Sequence, residues 1–327
     1  MNLARIAWRL LRYRVAVMLV LFMLVGAAAH HGVDWQHAWQ LVLACLALAV
    51  SYISATSVND LADYKIDAIN HQRSPGRPLV SGEASKREVW QIFGACSVIA
   101  VAIAGTIDPL AAAVMLASIL INVLYSLPPV RVSYRTFLAP LFLAVGYVCV
   151  PYLLGTIAVQ GTLGQDDLFW IGGLYLLFVG RIMLKDFRDR KGDAKYGKPT
   201  FLLRYGKKAT CVASGALIVL GGGVLGWQLR DEPWLTVLAV VFVGTIVAML
   251  VRLYRATPGP DEQLSIGVGA KMGNGLLIAL FAALLLADSH LGSTERLLAV
   301  WLVALPFFLN LVMFVRDPAK AAIGYKG

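Results

Sequence analysis

One acidic phrase, D-x2-D-x3-D, occurs twice in the chain and takes up six of its 19 acidic residues. The two copies consist of Asp60, Asp63 and Asp67, and of Asp186, Asp189 and Asp193. On an α-helix this spacing places the three carboxylates of each copy on one face. Carboxylate oxygens are ligands that Mg2+ prefers, usually together with substrate phosphates and water. All six aspartates are therefore candidate metal ligands.

Basic and amide side chains flank both phrases. Two carboxylate clusters that hold Mg2+ around a diphosphate carry surplus negative charge, so cations must lie nearby. The candidates for diphosphate contacts are Asn59, Arg73, Arg77, Lys185, Arg188, Lys191 and Lys198. A single phrase of this kind is most simply a solvated helix end. Two copies, each following an apolar segment, instead favour a pair of half-sites.

The segments that must position these residues are strongly apolar. The chain has 327 residues, of which 59% are hydrophobic. Continuous apolar runs long enough to cross a hydrocarbon core of about 30 Å predict helices, whereas a membrane barrel would show alternating strands. The expected spans cover residues 14–30, 36–59, 89–107, 109–127, 137–159, 167–185, 208–229, 234–254, 266–287 and 296–315. The predicted fold class is an all-α integral membrane protein, organised as a single membrane domain over residues 1–327.

Lysine and arginine concentrate on one side of these spans. With the N-terminus inside, only Arg230 and Arg296 of the 29 basic residues fall in outer loops. Basic residues prefer cytoplasmic loops, so the N-terminus and both acidic phrases are expected on the cytoplasmic side of the cell (inner or plasma) membrane. This topology and anionic lipid explain the net charge of +10, so nucleic acid is not an expected partner. The basic start R-I-A-W-R-L-L-R-Y-R is expected at the membrane interface, and a grip on an anionic substrate is the minor alternative.

Cysteine and histidine do not predict a further site. The four cysteines are spread over separate apolar segments and are expected to pack as small hydrophobic side chains. They are Cys45, Cys96, Cys149 and Cys211. Three histidines fall in one outer loop, where solvation is the simplest role, whereas His71 lies next to the first phrase.

An apolar bundle with a metal-bound diphosphate suits isoprenoid chemistry. Each CH2 of an isoprenyl tail buried in it contributes about 0.8 kcal/mol. A metal makes diphosphate a better leaving group because it neutralises the charge that develops. The resulting allylic carbocation must be kept from water, and aromatic faces can stabilise it. The possible sources are Tyr52, Tyr64, Tyr125, Tyr147 and Tyr152, although packing is the simpler role for each.

Four segments resemble the UbiA-type intramembrane prenyltransferases. They are N-D-L-A-D-Y-K-I-D-A-I-N, R-P-L-V-S-G, Y-S-L-P-P-V-R and K-D-F-R-D-R-K-G-D-A-K-Y-G-K-P-T. Together they cover spans 2 to 6 and their inner loops. The resemblance implies a bundle of nine or ten transmembrane helices around a central cavity, with a cytoplasmic cap formed by two long loops. It also implies Mg2+-dependent transfer of a prenyl group from its diphosphate to an acceptor.

The same resemblance implies roles for individual residues. The catalytic set carried over by position is Asp63, Asp67, Asp189 and Asp193. Asn59 belongs to the first motif, and Asp186 matches an extra aspartate of some branches. Tyr125 and Arg131 match a motif of the fourth span, in which the basic residue helps to bind diphosphate. Tyr125 is accordingly expected to face the prenyl group or its cation.

Two features depart from the family pattern. The link H-Q-R-S-P-G between Asn70 and Arg77 is longer than is common in the family, which leaves the roles of His71, Arg73 and Arg77 open. The count of ten spans also exceeds the usual nine, so the C-terminal part has either three or four spans after the second phrase.

The acceptor and two rival functions stay open at this point. An aromatic ring is the expected acceptor, and a lipid alcohol is the alternative. A cation-coupled transporter could use acidic clusters as ion sites, but its acidic residues are expected near mid-membrane on broken helices. A non-catalytic prenyl-lipid-binding protein would bind the diphosphate without releasing it. Prenyl chain length and oligomeric state are not indicated.

Overall fold

The computed structural model describes residues 3–71, 76–231, 233–287 and 292–316. All regular elements in these ranges are helical. The α-helices are Leu3–Leu10 (α1), Tyr13–Ala29 (α2), Ala38–Ala62 (α3), Tyr64–Asn70 (α4), Lys86–Gly105 (α5), Pro109–Ser126 (α6), Leu138–Ala144 (α7), Val150–Ala158 (α8), Gln165–Ile182 (α9), Asp186–Lys195 (α10), Phe201–Gln228 (α11), Pro233–Arg255 (α12), Pro260–Ala287 (α13) and Ser293–Arg316 (α14). A π-helix, Val145–Cys149, joins α7 to α8, and α11 is kinked at Gly206.

The predicted spans correspond to helices of membrane-spanning length. Within the described ranges, nine helical segments are long and apolar enough to cross a bilayer. The pair α1 and α2, bent by 63°, makes a tenth candidate if it counts as one span. The sixth predicted span, 167–185, is part of a longer segment, Gln165–Lys195, which continues through the second acidic phrase. The all-α membrane fold is therefore confirmed, with nine or ten candidate spans among the residues that the structure describes.

The chain divides into two compact units. The first consists of Met1–Thr162 and Asp186–Arg204, and the second of Leu163–Lys185 and Tyr205–Lys326. Both acidic phrases lie in the first unit. The single domain expected over residues 1–327 stays a prediction.

Small residues allow the helices of the first unit to approach closely. The core between α2, α3, α5, α6 and α8 is rich in alanine. A Cβ atom on Gly26 of α2 would overlap the carbonyl oxygen of Tyr152, and one on Gly155 of α8 would overlap that of Met23. Helices in a membrane associate through this kind of packing, because lipid is as apolar as their own side chains. The resulting scaffold supports the end of α3, where the first phrase begins.

The N-terminal helix α1 is docked on this unit. Its side chains Ile6 and Leu10 are fully buried in a cluster with residues of the 79–92 segment. The hydroxyl of Thr56 on α3 donates to the carbonyl of Leu10 at 2.9 Å, and Arg9 forms an ion pair with Glu83. An amphipathic helix buries its apolar face on any apolar surface of matching shape. In this chain the buried face of α1 contacts protein, Leu3 and Trp8 stay exposed, and the position at the membrane interface stays a prediction.

The second unit also uses glycines at its helix contacts. A Cβ atom on Gly221 of α11 would lie 2.7 Å from the carbonyl oxygen of Gly173 on α9. The hydroxyl of Ser214 donates to the carbonyl of Gly180 at 2.6 Å. This supports the packing of α9 against the part of α11 that follows the kink.

Candidate active site

The first acidic phrase is built at a bend between two helices. Asp60 lies in the last turn of α3, Asp63 lies between α3 and α4, and Asp67 lies in α4. Asp63 has φ −102° and ψ 16°, yet its N–H still donates to the Asn59 carbonyl at 2.9 Å. The spacing predicted that the three aspartates lie on one continuous helix face. The structure instead divides them between α3 and α4, with Asp63 at the bend. All three aspartates are at most 5% exposed.

The second phrase lies on a single helix, as its spacing predicts. Asp186, Asp189 and Asp193 all belong to α10, which follows a 3-10 turn at Met183–Lys185. Asp193 is only 2% exposed, and the side chain of Asp189 is 15% exposed.

The fold brings the two phrases together. The side-chain amide of Asn70, the last residue of α4, donates to the carbonyl of Asp189 at 2.8 Å. The oxygen of the same amide accepts from the N–H of Gly192 at 2.7 Å. The ring nitrogen Nε2 of His71 is 3.2 Å from a carboxylate oxygen of Asp189. Residues more than a hundred positions apart thus form one site.

Cations of the chain itself neutralise Asp60 and Asp67. Nη2 of Arg12 contacts both carboxylate oxygens of Asp60, at 2.5 and 2.7 Å. Arg77 donates to Asp60 and also to Asp67. Arg12 lies between α1 and α2, so the docking of α1 brings its guanidinium to the site.

Asp63 has two different partners. Nζ of Lys198 is 2.7 Å from one carboxylate oxygen, and Nη2 of Arg131 is 3.3 Å from the other. Arg131 also stacks on the ring of Tyr134, with 3.9 Å between the guanidinium carbon and the ring centroid. The hydroxyl of Thr136 donates to the Pro199 carbonyl at 2.7 Å, which fixes the segment that carries Lys198.

Burial and neighbouring charges shift the pKa values of groups outside the spans. Burial raises the pKa of Asp67 from its ordinary 3.8 to about 7, opposed by Arg77 and reinforced by Asp60 and Asp63. Burial alone would lower the pKa of Lys198, but negative groups led by Asp63 raise it above its ordinary value. Lys198 therefore stays charged, whereas ionisation of Asp67 in its buried position beside Asp60 and Asp63 is energetically costly.

The other residues predicted to belong to the site lie at different places relative to the two acidic phrases. Nε of Arg188 is 3.5 Å from the carboxylate of Asp189, and Asn59 is half-buried in α3. Tyr125 is buried near the end of α6, within range of an electrostatic interaction with Lys198. Lys185 belongs to the second unit, and Arg73 lies outside the described residues.

Sequence patterns did not identify Arg12 or Asn70 as site residues. The sequence signal that included Arg12 was the basic start of the chain. For this segment a position at the membrane interface was expected, and binding of an anionic substrate was the minor alternative. Asn70 follows the first phrase directly, but its partner Gly192 can be recognised only from the fold.

The donor set has the chemistry that Mg2+ requires. Carboxylates supply hard oxygen ligands, and those of Asp60 and Asp63 are close enough to Asp67 to raise its pKa. In the part of the chain that the structure describes, no three His, Cys, Asp or Glu side chains are arranged around a common metal position. The first phrase is compensated by Arg and Lys instead, so metal binding requires these carboxylates to exchange partners.

Comparison with known proteins identifies the family. Residues 16–275 match the UbiA prenyltransferase family, and the chain belongs to this family. It is 30% identical over 319 residues to the protoheme IX farnesyltransferase of Alkalilimnicola ehrlichii, covering 91% of this chain and 95% of that protein. It is 27% identical over 213 residues to the chloroplastic chlorophyll synthase of Arabidopsis thaliana, covering 61% of this chain and 52% of that protein. The chain thus spans about half the length of this second relative.

The fold has close solved counterparts. A UbiA homolog from Archaeoglobus fulgidus, solved bound to DMAPP and Mg2+, is 19% identical and has a TM-score of 0.63. The match covers 85% of this chain and 98% of that chain. The predicted family, the membrane fold and the prenyltransferase class are confirmed.

Proposed function

We propose that this prenyltransferase takes an isoprenyl diphosphate as donor, uses Mg2+, and alkylates an aromatic acceptor within the membrane. The observation that carries the proposal is the contact between α4 and α10, which joins two acidic phrases into one cation-rich site. A diphosphate with its metal ions needs both carboxylates and cations at short range. A transporter would place its acidic residues near mid-membrane on broken helices, whereas these two phrases lie at the ends of spanning segments.

The aspartates would hold the metal. The proposed ligands are Asp60, Asp63, Asp67, Asp186, Asp189 and Asp193, with Asp63, Asp67, Asp189 and Asp193 as the catalytic set. Bound Mg2+ would neutralise the negative charge that develops on the departing diphosphate. Asn59, half-buried beside the first phrase, contributes a neutral amide to the same end of α3.

The cations would bind the diphosphate. Lys198 and Arg131 lie at Asp63, and Arg77 lies between Asp60 and Asp67. An arginine offers two parallel N–H donors to a phosphate group, and a lysine offers a compact charge. Arg73, Lys185, Arg188 and Lys191 are proposed to contribute from the flanking segments. These groups orient the diphosphate, and they also offset the charge of whichever carboxylates do not bind metal.

The prenyl chain would extend from this site into the apolar helices. Tyr125 is buried and near Lys198, so its ring is the proposed neighbour of the reacting allylic carbon. The buried ring of Tyr52 and the half-buried ring of Tyr147 form an edge-to-face pair with 6.2 Å between centroids. Aromatic faces stabilise a carbocation and exclude the water that would capture it.

The protein would lie in the cell membrane with the N-terminus and the acidic phrases facing the cytoplasm. The low number of basic residues in the outer loops supports this orientation. The acceptor is proposed to be an aromatic ring, and a lipid alcohol is the alternative outcome of the acceptor assay. Prenyl donors of several lengths, tested against both classes of acceptor, would identify the preferred pair.

The central test measures diphosphate release from a prenyl diphosphate by the purified protein in liposomes. Wild type should release diphosphate only with Mg2+, and Asp63→Ala or Asp189→Ala should abolish release while each variant still inserts into the membrane. Turnover at the wild-type rate by both variants would refute the assigned roles. Metal-independent ion flux without release would indicate a transporter, and donor binding without release would indicate a binding protein.

A further inference from the structure

One neutral side chain, Asn70, bridges the two acidic phrases. Its amide nitrogen donates to the Asp189 carbonyl at 2.8 Å, and its amide oxygen accepts from the Gly192 N–H at 2.7 Å. The partners are 119 and 122 positions away in the chain. Both donor and acceptor of the amide are therefore used in a contact between α4 and α10.

The backbone of α10 approaches Asn70 closely because residue 192 is glycine. A Cβ atom on Gly192 would lie 2.6 Å from the amide nitrogen of Asn70 and 2.7 Å from the carbonyl oxygen of Ile66. Both distances are too short for an ordinary contact. Gly192 is buried and lies one position before Asp193, so the close approach occurs within the second phrase.

The residue after Asn70 adds a contact to the same aspartate. The N–H of His71, the C-cap residue of α4, donates to the Asp67 carbonyl at 2.7 Å. Its ring nitrogen lies 3.2 Å from the Asp189 carboxylate. The carbonyl of Asp189 is thus hydrogen-bonded to Asn70, and its carboxylate lies within ion-pair distance of the His71 ring.

We infer that Asn70 is a positioning residue that sets the spacing between the two aspartate half-sites. Gly192 permits this contact, because it has no side chain and its N–H donates to the Asn70 amide oxygen. This inference rests on the proposed function, because it gives the bridge a purpose in metal binding. The amide is uncharged, so it does not compete with the carboxylates for metal. It acts on α10 as a whole, and through α10 on the carboxylates of Asp189 and Asp193.

If the distance between the two aspartate half-sites is fixed before the metal binds, no conformational entropy is lost in bringing the metal ligands together. Removing the bridge should therefore weaken metal binding without changing any ligand. Loss of a hydrogen-bonded partner behind metal ligands typically weakens metal affinity by roughly tenfold to hundredfold. Asn70→Ala should fall in this range. Asn70→Asp keeps the acceptor for Gly192 but sets an oxygen against the Asp189 carbonyl, so it should not restore binding.

The first test measures Mn2+ binding to the purified protein through the electron paramagnetic resonance signal of the free ion. Asn122→Ala is the matched control, because the Asn122 amide donates to the Ser118 carbonyl of its own helix at 2.8 Å. Asn70→Ala should weaken Mn2+ binding at least about tenfold, and Asn122→Ala should change it less than about twofold. The Mg2+ concentration for half-maximal diphosphate release should rise in parallel, with a smaller change in kcat at saturating Mg2+. Equal Mn2+ affinity of Asn70→Ala and wild type would overturn the inference.

The second test leaves Asn70 in place, so its outcome does not depend on whether Asn70→Ala folds. Spin labels on Lys65→Cys of α4 and Ala194→Cys of α10, both exposed positions, report the distance between the helices. The background replaces Cys45, Cys96, Cys149 and Cys211 with alanine. The inference requires one narrow distance distribution without metal that Mg2+ does not shift. A broad distribution that narrows or moves when Mg2+ is added would overturn it.

The two proposals fail in different ways. If wild type neither binds Mn2+ nor releases diphosphate, the proposed function is wrong. If wild type does both and Asn70→Ala matches it, only the role of Asn70 is wrong.

Discussion

The buried ion pair between Asp63 and Lys198 offers a quantitative test of how the site is held together. The two charges are 2.7 Å apart, and the side chains are 7% and 10% exposed. At an effective dielectric constant of about 20 their attraction is about 6 kcal/mol. The loss of hydration of both groups offsets part of this energy. We expect a coupling free energy of about 3 kcal/mol, which lies in the range found for close buried pairs.

A double-mutant cycle measures this coupling. Asp63→Asn, Lys198→Met and the double variant are unfolded reversibly in mixed micelles by a denaturing detergent, and the free energy of unfolding is followed by circular dichroism. Asp63→Asn should lower the free energy of unfolding by about 3 kcal/mol, because it leaves a buried ammonium without its main counter-ion. Lys198→Met should cost less, since Asp63 retains Arg131 at 3.3 Å. The double variant should be more stable than the sum of the two losses predicts.

An exposed pair with nearly the same geometry provides the control. Nη2 of Arg252 is 2.8 Å from the carboxylate of Asp261, but the side chains are 35% and 55% exposed. Water screens this pair, so the cycle of Arg252→Met and Asp261→Asn should give a coupling below about 1 kcal/mol. A coupling below about 0.5 kcal/mol at the buried pair, or equal couplings in the two cycles, would refute the reasoning that burial strengthens the contact.

Three further outcomes follow from the packing and charge of the first unit. Arg12→Met should lower the rate of diphosphate release by about tenfold or more, because Asp60 loses a charged partner, whereas the exposed Arg14→Met should leave the rate unchanged. A rate equal to wild type in Arg12→Met would contradict this role. Gly155→Ala should lower the free energy of unfolding by about 1–3 kcal/mol, because the added methyl group overpacks against α2. Gly94→Ala is the control and should leave this free energy unchanged, because the space around Gly94 is open. Thermal unfolding of the two variants in detergent measures the difference. EDTA should stop diphosphate release and added Mg2+ should restore it, so persistent release in EDTA would exclude a metal requirement.

The membrane fold was predictable because a bilayer imposes a simple requirement on sequence. A helix that crosses it must be apolar over a fixed length, and the backbone bonds must be satisfied within the helix. The predicted spans therefore match helices to within a few residues in most cases. The start of the chain was different, since α1 is too short to span and its amphipathic face fits either lipid or protein. Its burial on the 79–92 segment depends on contacts that no local pattern encodes.

The two acidic phrases were also recognisable from the sequence, because repeated carboxylates in an apolar chain are costly unless they have a purpose. Their surroundings were not. The bend at Asp63 divides the first phrase between two helices, although the D-x2-D-x3-D spacing is compatible with one. The roles of Arg12 and Asn70 depend on partners that are far away in sequence. A side chain of either type is common on a helix end, so its importance becomes visible only when the partner is known.

The two phrases differ in how their charge is compensated, and this difference explains the arrangement of the cations. The first phrase is almost completely buried, so its carboxylates need counter-ions even when no substrate is present. Arg12, Arg77, Arg131 and Lys198 meet that need. These residues come from four separate segments of the first unit. Stability of the unloaded protein and affinity for a diphosphate therefore place the same demand on the sequence, because both require positive charge around Asp60, Asp63 and Asp67.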